Sequence, residues 1–239
     1  EELTLDETER AAGYRGMWHR VTNGPSAIIT PWNFPLNLVA HKIVPALACG
    51  CPFVLKPASA TPISALILGE FLAETDLPAG AFSILPIKSS DSAALVEDSR
   101  IRKLSFTGSG EVGWDLRDRA RKKHVTLALS GNAAGAAGGG ISIGEDRCIF
   151  GGYYQSGQSC ISVQRIYVHR EIYDAFRQKF VAAVRGIKTG DPRDEKTYVG
   201  PIISEEDAQR IEETIQGAVK QGAHLLCGGR RKARMVEPA

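Results

Sequence analysis

The 239 residues carry 29 Lys and Arg against 27 Asp and Glu, with 43% hydrophobic and 23% charged side chains. A net charge of +2 this evenly mixed argues against a dedicated nucleic-acid surface, and the apolar fraction is too high for a disordered chain. The longest apolar runs, such as PISALILG, are broken well short of the roughly 20 residues a membrane span needs, so neither nucleic acid nor membrane is an expected partner.

The opening EELTLDETER lacks the basic start and apolar stretch of a signal peptide. Its first residue is not Met, which makes a piece of a longer chain the expectation. The five Cys, at 49, 51, 148, 160 and 227, are odd in number and scattered. That favours a reducing compartment, the cytoplasm, over a disulfide framework. Cys49 and Cys51 lack the second pair or the His partners of a finger site, so no metal is expected.

Residues 14–22, YRGMWHRVT, could form a strand with one apolar face. From Ser26 onward short β-branched runs alternate with helical patterns. SAIIT predicts a strand and LNLVAHKIVPALA a helix interrupted at Pro45; PFVLK predicts a strand and ISALILGEFLAE a helix. FSILP, KLSF and VTLAL are three further strands, with the helix EVGWDLRDRARK between the last two. This alternation predicts βαβ units and a parallel sheet. Thr61-Pro62 reads as an N-cap followed by proline at the first helical position.

Near residue 132 the character changes. NAAGAAGGG offers nothing that fills a core, and its four glycines disfavour strand and helix alike. Beyond it, CIFGGYYQSGQSC predicts a helix ending at glycine, QRIYVH a strand, and EIYDAFRQKFVAAVRGI an amphipathic helix. A second amphipathic helix, SEEDAQRIEETIQGAVKQG, begins with Ser204 and Asp207 in a variant of the capping box. HLLCGG predicts a last short strand, and RRKARMVEPA is basic and unpatterned.

Cys160, in GQSC, is the strongest candidate nucleophile. The small and polar residues before it are poor core filler and suit close approach of a ligand, although a buried structural role is the usual fate of a free Cys. SFTGSGEVG runs from a strand through Thr107, Gly108 and Ser109 into a helix, whose exposed N–H groups could bind an anion. It lacks the G-x-G-x-x-G dinucleotide pattern. Lys56 ends a strand, where parallel sheets bind ligands; a solvated strand-end lysine is the plain alternative. Asn33 could donate to an oxyanion or simply form a turn. No His has a placed Ser, Cys or Asp partner, which leaves a hydrolase triad without support.

Taken in order, ITPWNFPLNLVAHKIVPALACGCPFVLKPASATP, LPAG, SFTGSGEVG, LALSGN, FGGYYQSGQSCISVQRIYVH, VGPI and LLCGG resemble the NAD(P)-dependent aldehyde dehydrogenases, from about Gly24 to the chain's end. The resemblance implies an α/β fold: a remnant of an oligomerisation hairpin over 1–22, a partial NAD(P)-binding domain over 23–127 and the first part of a catalytic domain over 128–239. It implies a small-molecule aldehyde as substrate and a homo-oligomer for full-length relatives, leaving this chain's own state open.

For the site, the resemblance assigns Cys160 as nucleophile, with its backbone N–H and the Asn33 amide holding the oxyanion, and Lys42 as a proton relay. It places NAD or NADP against Ile29, Thr30, Pro31, Trp32, Lys56, Ala58, Ser59, Phe106, Thr107, Gly108, Ser109, Val112 and Leu129. Lys56 would contact the adenosine ribose and Ser109 the pyrophosphate, with Val112 near adenine. Ser59 stands where an acid would repel a 2′-phosphate, so NADP remains open.

Three departures bear on activity. The family's E-L-G-G-N is here Ala128-Leu129-Ser130-Gly131-Asn132, so the general base is replaced by alanine; a positioned base typically contributes about 10²–10⁴-fold. AAGAAGGG stands where the family has a buried β-branched strand, and Ile87 stands where a cofactor-facing glycine is usual, which is expected to crowd the adenosine. The family's N-terminal helices, its E-x-F-G-P block and its C-terminal strand have no counterpart in the 239 residues. The readings that follow are an aldehyde dehydrogenase impaired by Ala128 and truncation, a CoA-acylating dehydrogenase, or an inactive nucleotide-binding homologue.

Overall fold

The structure, a computed structural model, describes residues 2–4, 8–137 and 141–239. The chain divides into two compact units, Glu1–Leu129 and Ser130–Ala239.

In the first unit, β1 (Glu2–Thr4) and β2 (Arg15–Met17) pair antiparallel, so the strand expected over 14–22 narrows to three residues. There follow β3 (Ser26–Ile29), α1 (Asn37–Ala48), β4 (Phe53–Lys56), α2 (Ile63–Ala73), β5 (Phe82–Ile84), α3 (Ser92–Glu97), β6 (Lys103–Gly108), α4 (Gly110–Ala120) and β7 (His124–Leu129). The last five strands form one sheet in the order β5-β4-β3-β6-β7, every pair parallel. This is the expected α/β architecture.

Central parallel strands are covered on both faces and read as continuous apolar runs. All four residues of β3 are buried. Ala27 and Ile29 pack with Val96, Leu104, Phe106 and Leu116 on one side, under α3 and α4. Ile28 packs with Val39, Ile43, Phe53, Leu55 and Ala65 on the other, under α1 and α2. Burying Ile28, Leu55 or Leu104, each at most 1% exposed, contributes about 1.5–3 kcal/mol apiece.

Two local expectations in this unit change. α1 runs through Pro45 rather than stopping there. The carbonyl that loses its donor belongs to His41, and both residues are exposed, so water can replace the missing partner. Thr61 does not cap α2 with its side chain: its hydroxyl donates to the Trp32 carbonyl at 3.1 Å, and Pro62 already has helical angles. The six-residue α3 is not foreseen by periodicity.

The second unit contains β8 (Ala133–Ala137), α5 (Ile141–Tyr153), β9 (Val163–Val168), α6 (Tyr173–Arg185), α7 (Glu205–Lys220), β10 (Arg231–Lys232) and β11 (Met235–Val236). NAAGAAGGG, with no core-filling side chain and low strand propensity, nonetheless supplies a strand: Ala133–Ala137 pairs parallel with β9. Its small side chains are compensated by large neighbours, since Ala137 packs with Cys148 and Phe176 against Ile166, Val168 and Phe180. Gly138–Gly140 lie outside the described residues. α7 starts where expected, with the Ser204 hydroxyl accepting from the Asp207 N–H at 3.0 Å. The Asp207 carboxylate accepts from that same hydroxyl at 2.9 Å.

HLLCGG is not a strand, because Gly228 (φ 57°) and Gly229 (φ 79°) turn the backbone into the left-handed region. The tail expected to be unpatterned instead forms the β10–β11 hairpin. Its Arg231 is paired with Glu212 at 3.1 Å and Glu205 at 3.2 Å on α7. Among the described residues no helix is long and apolar enough to cross a membrane.

Candidate active site

The sheet of the first unit grows outward from β3 through β4 to β5, then returns to the other side of β3 for β6 and β7. Ligands of open α/β sheets bind beyond the carboxyl ends of the strands at such a reversal. A cleft of about 580 Å³ lies there. The end of β3 supplies Ile29, Thr30, Pro31 and Trp32, and the end of β4 supplies Lys56, Ala58 and Ser59. β6 supplies Phe106, Thr107 and Gly108, and the start of α4 supplies Ser109 and Val112. Gly108 suits its position because a Cβ there would press into the Phe106 ring. Ser109 is extended (φ −67°, ψ 152°) and its side chain makes no capping bond. The first-turn N–H groups of α4 are thereby left for an anion at the positive end of the helix.

Leu129 is the one cofactor candidate outside the cleft lining; its side chain packs on the core beside Gly113. Ile87 is also outside it. Its carbonyl accepts from the Ser59 hydroxyl at 3.5 Å. Ser89, Ser90, Asp115 and Arg119 line the cleft unforeseen. Only the Lys-Ser-Ser-Asp run just past β5, itself at the carboxyl edge of the sheet, could have signalled the two serines.

Lys56 is 3% exposed. Its Nζ donates to the Pro57 carbonyl and to the Ser89 hydroxyl, both at 3.3 Å, and burial holds its pKa below that of free lysine. Asn33, half-buried, follows the β3 end but does not line the cleft.

Lys42, on α1, donates to the Ser105 hydroxyl of β6 at 2.9 Å. Burial first, and repulsion from Lys103 second, lower its pKa to about 8. The unfolded chain, with an ordinary value of 10.5, therefore holds a proton that the folded chain sheds between pH 8 and 10.5. Stability should rise with pH across that window, while below pH 8 the full cost of the buried charge is present. Lys42→Met is expected to raise stability at pH 7 by about 1–3 kcal/mol and to make that rise shallower, leaving the share that the buried Lys56 contributes. Thermal melts of both proteins from pH 7 to 10.5 check this; parallel curves would refute it.

Ala128 is exposed on the edge strand β7, opposite Thr107 of β6.

In the second unit, Cys160 is exposed, Cys227 half-buried and Cys148 buried; in the first unit, Cys49 is exposed and Cys51 buried. The helix expected to start at Cys148 and end at glycine is α5, which starts earlier, at Ile141, and ends at Tyr153; a turn then brings the chain to Cys160. Gln155 (φ 56°), Ser156 (φ 57°) and Gly157 (φ 72°) are successively left-handed, a conformation that costs a residue with a Cβ roughly 1–2 kcal/mol. Such geometry persists only where the surroundings over-determine it. Here the Ser156 hydroxyl donates to the Gly200 carbonyl at 3.1 Å and accepts from the Gly200 N–H at 2.9 Å. The Gln158 side-chain oxygen accepts from the Ile203 N–H at 3.0 Å. Gly131 lies so close that a Cβ on it would be 2.6 Å from the Cys160 carbonyl oxygen. The SGN, GQSC and VGPI motifs thus meet around one loop, a grouping that spacing alone does not reveal.

The sequence profile of the aldehyde dehydrogenase family matches residues 2–239. A glutarate-semialdehyde dehydrogenase of Pseudomonas putida is 41% identical over 212 residues, which cover 87% of this chain and 44% of that protein. The crystal structure of aldehyde dehydrogenase 21 from Physcomitrella patens, in complex with the reaction product succinate, is 50% identical with a TM-score of 0.96. That match covers all of this chain and 50% of the moss chain. Other solved neighbours carry NADP, in a Methanocaldococcus jannaschii glyceraldehyde-3-phosphate dehydrogenase (34% identical, TM-score 0.86), or NAD⁺, in a Staphylococcus aureus betaine aldehyde dehydrogenase (31%, 0.88). The chain spans about half the length of the curated relatives it matches. A profile match along nearly the whole chain, on a parallel sheet with its cleft at the strand reversal, makes this protein a member of the aldehyde dehydrogenase family.

Proposed function

We propose that Cys160 oxidises an aldehyde with NAD(P)⁺, and that the acyl product leaves slowly. The observation that carries this is the exposed Cys160, presented by a loop clamped to Gly200 and Ile203. The thiolate adds to the aldehyde carbon, forming a C–S bond and a thiohemiacetal oxyanion. NAD(P)⁺ supplies the acceptor for the hydride that leaves that carbon, and the two electrons lost convert the thiohemiacetal into a thioester. The cleft fits such a cofactor: apolar walls from Ile29, Trp32 and Val112, a free helix N-terminus at Ser109 and a buried cation at Lys56. Hydrolysis of the thioester adds water, returns the thiol and releases the acid. With Ala128 where the base would stand, that last step lacks its proton acceptor.

The substrates named for the relatives suggest a short aldehyde with a carboxylate at its other end, succinate or glutarate semialdehyde. Mixing the protein with succinate semialdehyde and either nucleotide should give a reduced-nucleotide burst of at most one per Cys160, lost in Cys160→Ala. No burst with either nucleotide would overturn the proposal, and sustained turnover would overturn the slow release. The alanine at 128 also favours a second reading, resolution of the thioester by the thiol of CoA. If that holds, added CoA converts the burst into turnover.

A further inference from the structure

The face of the first unit's sheet that carries α1 collects positive charge and no negative charge. Along β6, Leu104 and Phe106 turn into the core under α3 and α4, so alternation puts Lys103 and Ser105 on the opposite face. Along β7, Val125, Leu127 and Leu129 pack on that same core, which turns His124, Thr126 and Ala128 the other way. Parallel pairing sets Lys103 beside His124 and Ser105 beside Thr126. Lys42 reaches this face from α1 and donates to the Ser105 hydroxyl at 2.9 Å, which leaves that hydroxyl its own proton to donate. The elements that build the face, β3, α1, β6 and β7, contain no Asp or Glu. Among the described residues no carboxylate pairs with Lys42, Lys103 or His124. Within its own unit the face stays open: His124, Thr126 and Ala128 are exposed, and Lys103 and Ser105 are half-buried.

We propose that Lys42, Lys103, Ser105 and Thr126 form a seat for a small doubly charged oxyanion of the inorganic-phosphate class. The two ammonium groups and the Ser105 and Thr126 hydroxyls donate to its oxygens, and His124 borders it. Burial first, and the Lys103 charge second, press Lys42 to give up its proton. Two cations that repel each other, one of them partly desolvated, are stabilised together by an anion that both can meet. A charge of −2 balances the pair, and an oxyanion with acceptors on several sides suits ammonium and hydroxyl donors at once. The seat is separate from the cleft at the carboxyl ends of the strands, since none of these four residues lines that cleft.

The test is calorimetric titration of the whole chain with sodium phosphate near neutral pH, with chloride holding the ionic strength constant. It is repeated for Lys42→Met, Lys103→Met and Lys220→Met. Each of the first two is expected to weaken a phosphate site about tenfold. Lys220→Met, which removes an exposed lysine from α7 in the other unit, should leave that site intact. The cofactor cleft is also able to take phosphate, so the variants carry the distinction. Equal phosphate affinity in all four proteins, or no binding by any of them, overturns the inference. Lysine-resolved NMR titration of the unaltered chain gives a second reading that needs no variant to fold. Saturating phosphate should move the Lys42 midpoint upward from about 8, because a neighbouring anion favours the charged amine. An unmoved midpoint overturns the inference equally.

Discussion

On the proposed mechanism, Ala128→Glu is expected to follow the burst with sustained turnover, raising the steady-state rate about 10²–10⁴-fold. The size follows from the step proposed above: water attacking a thioester on Cys160 must lose a proton, and an alanine at 128 could accept none. The position can take the larger residue: Ala128 is exposed on β7, the edge strand of the sheet, and its side chain is absent from the two cores that flank the sheet. The measurement is steady-state nucleotide reduction after the burst, with succinate semialdehyde as substrate. A burst of unchanged amplitude followed by an unchanged slow phase would show that release is limited by something other than the missing carboxylate.

Which parts of the molecule were legible in the sequence follows from where the stabilising contacts come from. β3, β4 and β6 could be read because both of their faces are buried, so SAII, FVLK and KLSF carry the signal within four residues. β8 could not. AAGAA has no strand propensity, and its existence depends on pairing with Val163–Val168 some thirty residues on. The β10–β11 hairpin is likewise fixed by Arg231 reaching Glu212 and Glu205, contacts that no local pattern encodes.

The site divides in the same way. Lys56 and Ser109 stand at the carboxyl ends of strands, where topology puts ligands, and a motif marks each. Ser89 belongs to the cleft only because β5 lies beside β4. Ser156 meets Gly200 across 44 residues of chain.

Gly131→Ala is expected to slow the burst about 100-fold, the scale on which a displacement near 1 Å at a reacting group is felt, and to cost roughly 1–3 kcal/mol of stability as overpacking. The added methyl would be 2.6 Å from the Cys160 carbonyl oxygen, a backbone atom that cannot rotate away as a side chain would. The strain has few outlets. Gln155 and Ser156 already occupy left-handed conformations, and the loop beyond them is tied to Gly200 and Ile203. Any shift that relieves the contact must loosen those bonds or move Cys160 itself. Gly217→Ala is the matched control: it adds the same methyl inside α7 where nothing lies within 4 Å. There the gain in helix propensity should stabilise by about 0.5–1 kcal/mol. Rapid-mixing measurement of the burst rate, with a thermal melt of each variant, separates the two effects. Equal melting temperatures and equal burst rates for the two variants would mean that Gly131 has room to spare and that the Cys160 loop is held by the Ser156 and Gln158 bonds alone.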